Sequence, residues 1–368
     1  MALVFQDGFE TWGTDATART NMVNSSNGWL ATGSLAITTG NARTGTLAGK
    51  VASGNNIIGP RLSLGGAKTS ASGYFGVGFA AQIGALPTTV NDIAYFKNTN
   101  ANVEWGIAIT PSGAVALYRG GSSQTQLAVT AAGVVTPNVY VHFEIKCLMP
   151  TTVSATNGEL YLRINGLPAL TVTGTDIYIT ATLYGMESIT LNPLEQAWNA
   201  TSAWYDDVYV WDSTGSYCND WVGNKGVYTY YPDADTATAE WSITGVTQGF
   251  DAINDSTPDA DTTYISATAV TQTSNFEIPT VLSTLTGIKA VTLQTSMRQD
   301  SAGVSEVQAS LLSGVTYATG TSRVAPYPGA TSSTYTAYQD HFYQDPGGAG
   351  DLTPTLISAM QVRLKRTV

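Results

Sequence analysis

The stretch ELYLRINGLPALTV, Glu159 to Val172, decides how this chain is read. Leu160, Leu162 and Ile164 alternate with Glu159, Tyr161 and Arg163, the period of two that gives a strand one apolar face. Asn165-Gly166 then supplies the positive φ that a type I′ turn requires, and Leu170 and Val172 resume the alternation. Two such runs around a two-residue turn predict an antiparallel hairpin.

Runs of the same kind lie on both sides of it. Upstream are SGYFGVGFAAQI (Ser72–Ile83), NVEWGIAI and GAVALYRG around the turn TPSG, and VYVHFEIKCLM (Val139–Met149). Each is rich in β-formers and bounded by Gly, Pro or Asn. Downstream, WYDDVYVWD (Trp204–Asp212) turns Val208 and Val210 one way and Tyr209 and Trp211 the other, which predicts a strand covered on both faces. The polar stretch STGSYCND follows, and a boundary is expected near residue 216. Further strands are expected in KGVYTYY, ATAEWSI, SNFEI, GIKAVTLQTSM, SEVQASLL and STYTAYQDHFY. One short helix is expected in DLTPTLISAM, with Thr353 as N-cap, Pro354 just inside, and Leu356, Ile357 and Met360 at helical spacing; it feeds a last strand, QVRLKR.

Composition agrees with an all-β chain. Only 12% of the 368 residues are charged, while Thr, Ser, Gly and Tyr recur throughout. The length suits two domains, 1–216 and 217–368. A formal charge of −11 without any run of Lys or Arg excludes a nucleic-acid footprint and an anionic lipid surface. MALVFQDGFE lacks the basic flank and apolar core of a signal peptide, and no stretch has the length of a membrane span. Cys147 and Cys218 cannot build a disulfide framework, and Cys147 lies in an apolar run that suits a buried thiol.

The succession VYVHFEIKC, GELYLRINGLPAL, WYDDVYVWD resembles the end of concanavalin A-like (laminin-G-like) jelly rolls. The opening LVFQDGFE is similar to lectin-like proteins of tailed bacteriophages. NDWVG, the two PDADT stretches, GIKAVTLQTSMRQDSAG and the Tyr-rich segment near the end resemble phage minor structural proteins. This resemblance implies a concanavalin A-like jelly-roll β-sandwich followed by a second, smaller β-sandwich domain. It also implies a virion protein of the tail, baseplate or capsid surface, assembled in the bacterial cytoplasm and exposed on the particle. Its partners would be other phage virion proteins, further copies of itself and a host surface glycan. The alternative is a soluble carbohydrate-binding or polysaccharide-depolymerising module; a bacterial surface adhesin is disfavoured by the missing signal and anchor.

No catalytic residues, cofactor or metal are expected from the residues themselves. Glycoside hydrolysis needs two carboxylates facing one cleft, whereas Glu144 and Glu159 stand alone and the adjacent Asp206 and Asp207 are expected on opposite faces of their strand. His142 reads as an ordinary strand residue and His341 as a solvated loop residue, neither near a nucleophile motif. PDADT occurs at Pro232–Thr236 and Pro258–Thr262; both copies are expected as turns, with a shared calcium site and a partner contact as the alternatives. Candidate contacts for glycan or protein are Tyr228 and Tyr230, expected on one face of a strand, with Tyr231, Tyr335 and Tyr338. Arg363 and Lys365 on the final strand are expected to form a basic patch for an acidic neighbour, or else to charge a solvated edge.

Overall fold

The computed structural model describes all residues except 1–2, 15–21, 24–27, 32, 52–60, 121–123, 181, 183, 192–201, 258, 260, 301–303, 326–334 and 349. Short N-terminal stretches apart, it divides into two compact units, the first ending at Tyr228 and the second running from Thr229 to Val368. Residues 217–228 belong to the first unit.

The strands of the first unit are β1 (Leu3–Asp7), β2 (Trp29–Ala31), β3 (Leu35–Thr39), β4 (Leu47–Val51), β5 (Arg61–Lys68), β6 (Phe75–Ile83), β7 (Asn91–Asn98) and β8 (Val103–Ile109). They continue with β9 (Val115–Arg119), β10 (Thr125–Val129), β11 (Val141–Leu148), β12 (Glu159–Ile164), β13 (Leu167–Val172), β14 (Met186–Leu191) and β15 (Ala203–Asp212). They form two antiparallel sheets, an eight-stranded one in the order β13-β12-β11-β6-β15-β4-β3 with β1 also on β15, and a seven-stranded one in the order β10-β9-β8-β7-β14-β5-β2. Consecutive strands are often not neighbours in these sheets, so the hairpins are joined by crossovers, and the result is an all-β jelly-roll sandwich.

Alternating side chains fill the space between the sheets. Phe75, Val77 and Phe79 of β6 and Phe143 and Ile145 of β11 are fully buried, as are Phe96, Ile107 and Ile189 from the other sheet. Trp105 stacks on Phe96 at 4.1 Å and reaches Phe75 across the core at 6.3 Å, while the Tyr205 hydroxyl crosses it to donate to the Ile93 carbonyl. Each large apolar side chain buried in this way contributes about 1.5–3 kcal/mol. The hairpin read from the sequence is present: Ile164 pairs with Leu167 around Asn165 (φ 50°) and Gly166 (φ 82°), with Leu160 and Leu162 on the core side. Val208, Tyr209, Val210 and Trp211 are all buried, as expected for a strand covered on both faces.

In the second unit the strands are β16 (Ala234–Ala239), β17 (Ser242–Thr244), β18 (Tyr264–Ser266), β19 (Thr273–Glu277), β20 (Val291–Met297), β21 (Glu306–Ser313), β22 (Thr316–Val324), β23 (Thr336–Phe342) and β24 (Met360–Arg366). A five-stranded sheet, β16-β19-β24-β21-β22, carries the pairs β17-β18 and β20-β23 against its apolar face. Phe276, Ala309 and Leu364 pack beside Trp241 and Ile265, and Leu311 and Met360 beside Phe342, Val291 and Leu293. This is the expected second, smaller sandwich. The helix α1 (Pro354–Ser358) also forms where expected: the Thr353 hydroxyl accepts from the Leu356 amide, and the chain runs straight into β24. KGVYTYY is not a strand. Residues 221–233 form no regular element; within 221–228, the Glu144 and Asp207 carboxylates take up the Val222, Gly223 and Val227 amides in place of a partner strand.

Candidate functional site

The outward face of the seven-stranded sheet carries one continuous line of side chains. In direct cross-strand register stand Arg61 (β5), Thr190 (β14), Tyr95 (β7), Gly106 (β8), Tyr118 (β9) and Gln126 (β10). Beside this line run Ser63, Ser188 and Lys97 on one flank and Asp92, Ala108 and Ala116 on the other. A bulge in β7 makes the line possible. Asp92 pairs with Ala108 and Ala94 with Ile107, so Ile93 is the extra residue, and Asp92 reaches the same face as Tyr95 three positions on.

Gly106 is required where these two side chains meet. A Cβ there would lie 2.6 Å from Asp92 Oδ1 and 3.2 Å from Tyr95 Cδ1. The Tyr118 hydroxyl donates to Gln126 Oε1 at 3.1 Å. Burial, and then the charge of Asp92, push the Tyr118 phenol up, so it remains a proton donor. At the other end, Ser188 Oγ, Thr190 Oγ1 and Arg61 Nε are buried and have no hydrogen-bond partner. The two hydroxyl residues are each 1% exposed, whereas Arg61 and Lys97 remain half-exposed above them. Aromatic rings, hydroxyl and amide groups and cations on a floor of Gly and Ala are what a sugar ring with its hydroxyls requires.

The outward face of the eight-stranded sheet is built differently. Glu144 accepts from the Val222 and Gly223 amides at 2.7 and 3.0 Å, and the Tyr209 hydroxyl donates to the Gly223 carbonyl. Asp206 Oδ2 takes the Arg43 and Thr44 amides. Asp207 takes the Thr44 hydroxyl, the Val227 amide and the Arg43 guanidinium, the last at 2.5 Å. Adjacent aspartates were expected on opposite faces. A bulge between Asp206 and Tyr209, with Asp207 at φ 52°, instead turns both carboxylates towards Arg43 and Thr44. Burial, followed by the neighbouring Asp207 charge, raises Asp206; burial also raises Asp207 and Glu144. His142, stacked 5.8 Å from Tyr209 with its Nε2 3.3 Å from that hydroxyl, is lowered to about 3 by burial and then by the Arg43 charge. It is a buried neutral imidazole. The carboxylates hold segment 221–228 and Arg43–Thr44 onto the sheet.

The residues singled out in the sequence are dispersed. Tyr228 ends the first unit, 41% exposed, while Tyr230 accepts from the Leu282 amide and packs in the core of the second. The shared strand face expected for them does not exist, since no strand forms there. Tyr231, half-buried, also lies outside any strand. Tyr335 donates to Asp261 Oδ1 at 2.8 Å beneath Arg298, and Tyr338 donates to the Val324 carbonyl beside Arg323. Arg363 and Lys365 do share a face, but β24 lies between β19 and β21, so it is not the solvated edge considered from the sequence; Arg363 sits over the Tyr317 ring. His341 is likewise a strand residue, its Nδ1 2.8 Å from the Thr292 hydroxyl, and not a solvated loop residue.

The two PDADT copies part company. The first opens β16, not a turn, and Asp235 accepts from the Gly249 and Phe250 amides. In the second, Pro258 and Ala260 lie outside the described residues; the Asp259 carbonyl takes the Thr262 amide and its carboxylate the Thr263 hydroxyl, a turn leading into β18. Among the described residues no group of three or more His, Cys, Asp and Glu is placed to hold a metal.

No protein-family model and no curated protein sequence matches the chain. Among solved structures it is similar to an endo-β-1,4-glucuronan lyase from the fungus Trichoderma reesei, with 13% identity over 51% of this chain and 92% of that one and a TM-score of 0.37. Similarity extends to the alginate lyase Aly36B, with 12% identity, coverage of 56% and 95%, and a TM-score of 0.39. A carbohydrate esterase of the Shiga toxin-encoding bacteriophage phi24B gives 11% identity, coverage of 49% and 88%, and a TM-score of 0.35. The expectation of a chain without catalysis is corrected here. Its premise, opposite-facing aspartates, fails at the β15 bulge, where both carboxylates turn to one side.

Proposed function

We propose that the chain is a carbohydrate-directed module that binds a surface polysaccharide along the outward face of its seven-stranded sheet and depolymerises it there. The observation that carries this reading is the register line from Arg61 to Gln126, which crosses six strands and brings two tyrosines, a carboxylate and two cations to one floor of small residues. Tyr95 and Tyr118, buried in the sheet, line the floor over which successive sugars would lie. Tyr118, held protonated, is placed to give a proton to a leaving oxygen, and Asp92 beside it to accept one. The phage resemblance of the sequence adds the setting: a virion surface protein whose second unit contacts the particle or further copies of the chain.

The test is to incubate the purified chain with a panel of bacterial capsular and exopolysaccharides, following binding by retention and cleavage by loss of viscosity and appearance of new chain ends. Wild-type protein is expected to shorten at least one polymer. Tyr118→Phe and Asp92→Asn are expected to retain binding and lose cleavage by a factor of about 10²–10⁴, the usual worth of a positioned acid or base. Retention of full cleavage by both variants would remove the chemistry from this face.

A further inference from the structure

We infer that this face takes an acidic glycan, and that the acidic group of one sugar, a carboxylate or a sulfate ester, seats at the β5–β14–β7 end between Arg61, Ser188, Thr190 and Lys97. The inference rests on the carbohydrate reading above and names the substrate class within it. Its starting point is hydrogen-bond bookkeeping. Buried polar groups in folded proteins nearly always have partners, and each that lacks one costs stability. Here three lie together. Thr190 is the direct cross-strand partner of Arg61, and Ser188 lies two residues along β14 on the same face. Ser188 Oγ, Thr190 Oγ1 and Arg61 Nε have no partner, and both hydroxyl residues are 1% exposed.

All three groups are able to donate, and guanidinium Nε can do nothing else. Convergent donors without acceptors fit a ligand that brings acceptors and no protons. A carboxylate or sulfate does so and also meets the guanidinium charge; a neutral sugar hydroxyl can pair with the Ser and Thr hydroxyls but leaves that charge unmatched. Charge points the same way. Ser188 pairs across to Lys97, so a second cation borders the site, in a chain whose formal charge is −11. A general attraction for polyanions is therefore absent, and binding of one must come from a local site. Asp92 lies beyond Tyr95, against Gly106 and close enough to act on Tyr118, which separates the anion seat from the proposed proton-transfer pair.

The experiment compares polygalacturonate with its fully methyl-esterified form, and dextran sulfate with dextran, by titration calorimetry with the intact chain. Binding of at least one anionic polymer is expected to be tenfold or more tighter than that of its neutral counterpart. Which polymer binds distinguishes carboxylate from sulfate as the source. Arg61→Gln is expected to abolish the preference, and Thr190→Val to reduce it several-fold without lowering the ligand-free melting temperature, an outcome that loose polyelectrolyte attraction would not give. If the neutral forms bind as tightly as the charged ones, or if both variants keep the preference, the inference falls while the carbohydrate reading stands. If no polymer of either class binds here and none binds in the wider panel, both fall.

Discussion

The two outward faces of the first unit bury different polar groups: carboxylates on one, hydroxyls and a guanidinium on the other. On the eight-stranded sheet, Glu144, Asp206 and Asp207 are fully buried, yet their carboxylates meet backbone amides, a hydroxyl and the Arg43 guanidinium. On the seven-stranded sheet, the donors of Arg61, Ser188 and Thr190 are buried side by side without a partner, whereas on the eight-stranded sheet the unpartnered atoms are those of His142, Gln82, Trp211 and Thr38 and not the carboxylates. The paired carboxylates fix the chain; unpartnered buried donors are maintained at a cost, which the proposed ligand would offset. Charge alone would mislead, because the carboxylate-rich face is the structural one.

The comparison breaks most visibly if the satisfied face is opened. Asp207→Ala leaves Arg43, Thr44 and the Val227 amide without their acceptor, and a loss of about 3–5 kcal/mol is expected in urea denaturation of the first unit, the range for a broken buried charge pair. Because Asp207 has φ 52°, Asp207→Gly is expected to lose about 1 kcal/mol less than Asp207→Ala. Equal losses would show that the left-handed bulge carries no strain. Within the seven-stranded sheet stands Gly106, where a Cβ would meet Asp92 Oδ1 at 2.6 Å. Gly106→Val is expected to cost about 1–3 kcal/mol by overpacking and to abolish glycan binding, measured by melting and by retention on the polymer that the wild type binds.

Acid and base titration sharpens the contrast further. Asp206 is raised in the folded state, to about 8, so its contribution is fully present below the ordinary aspartate range and is lost progressively as pH rises from there to about 8. Glu144 and Asp207, also raised, act in the same direction. His142, lowered to about 3, acts oppositely: its contribution is present above the ordinary imidazole range and is lost as pH falls towards 3. Asp206→Asn is therefore expected to flatten the decline of melting temperature between pH 6.5 and about 8. An undiminished decline would assign that limb to other groups.

Much of this architecture was legible because it follows local rules. The Asn165-Gly166 turn, the alternation of Leu160, Leu162 and Ile164, and the Thr353-Pro354 helix start depend only on neighbouring residues. The two outward faces were not, because each depends on a bulge. Strict alternation sets Asp92 and Tyr95 on opposite faces, as it does Asp206 and a residue three later, and one inserted residue in each strand reverses this. A signal was nonetheless present in NVEWGIAI and GAVALYRG, where Gly106, Ala108 and Ala116 place small residues on one face and end at Tyr118. Tyrosine-rich segments drew attention to the second unit, where the hydroxyls of Tyr335 and Tyr338 are already committed to Asp261 and Val324.

The smallest expected effect is the most diagnostic, because its sign differs from that of the others. Ser188 and Thr190 are buried hydroxyls on a sheet whose opposite face holds Ile189 and Leu191 in the core. If they served the fold, replacing them would destabilise it, as is expected for removal of Asp207. With no partner to lose, Ser188→Ala and Thr190→Val relieve an unsatisfied donor and are expected to raise stability by up to about 1 kcal/mol each in the ligand-free chain. The same two variants are expected to weaken binding of an acidic polymer, the usual exchange of stability against function at a ligand site. Melting temperatures in the absence and presence of polygalacturonate measure both quantities on one sample, since a ligand adds stability only through the folded state. A fall in the ligand-free melting temperature would mean that these hydroxyls support the sheet, and the contrast between the two faces would then reduce to a difference in charge.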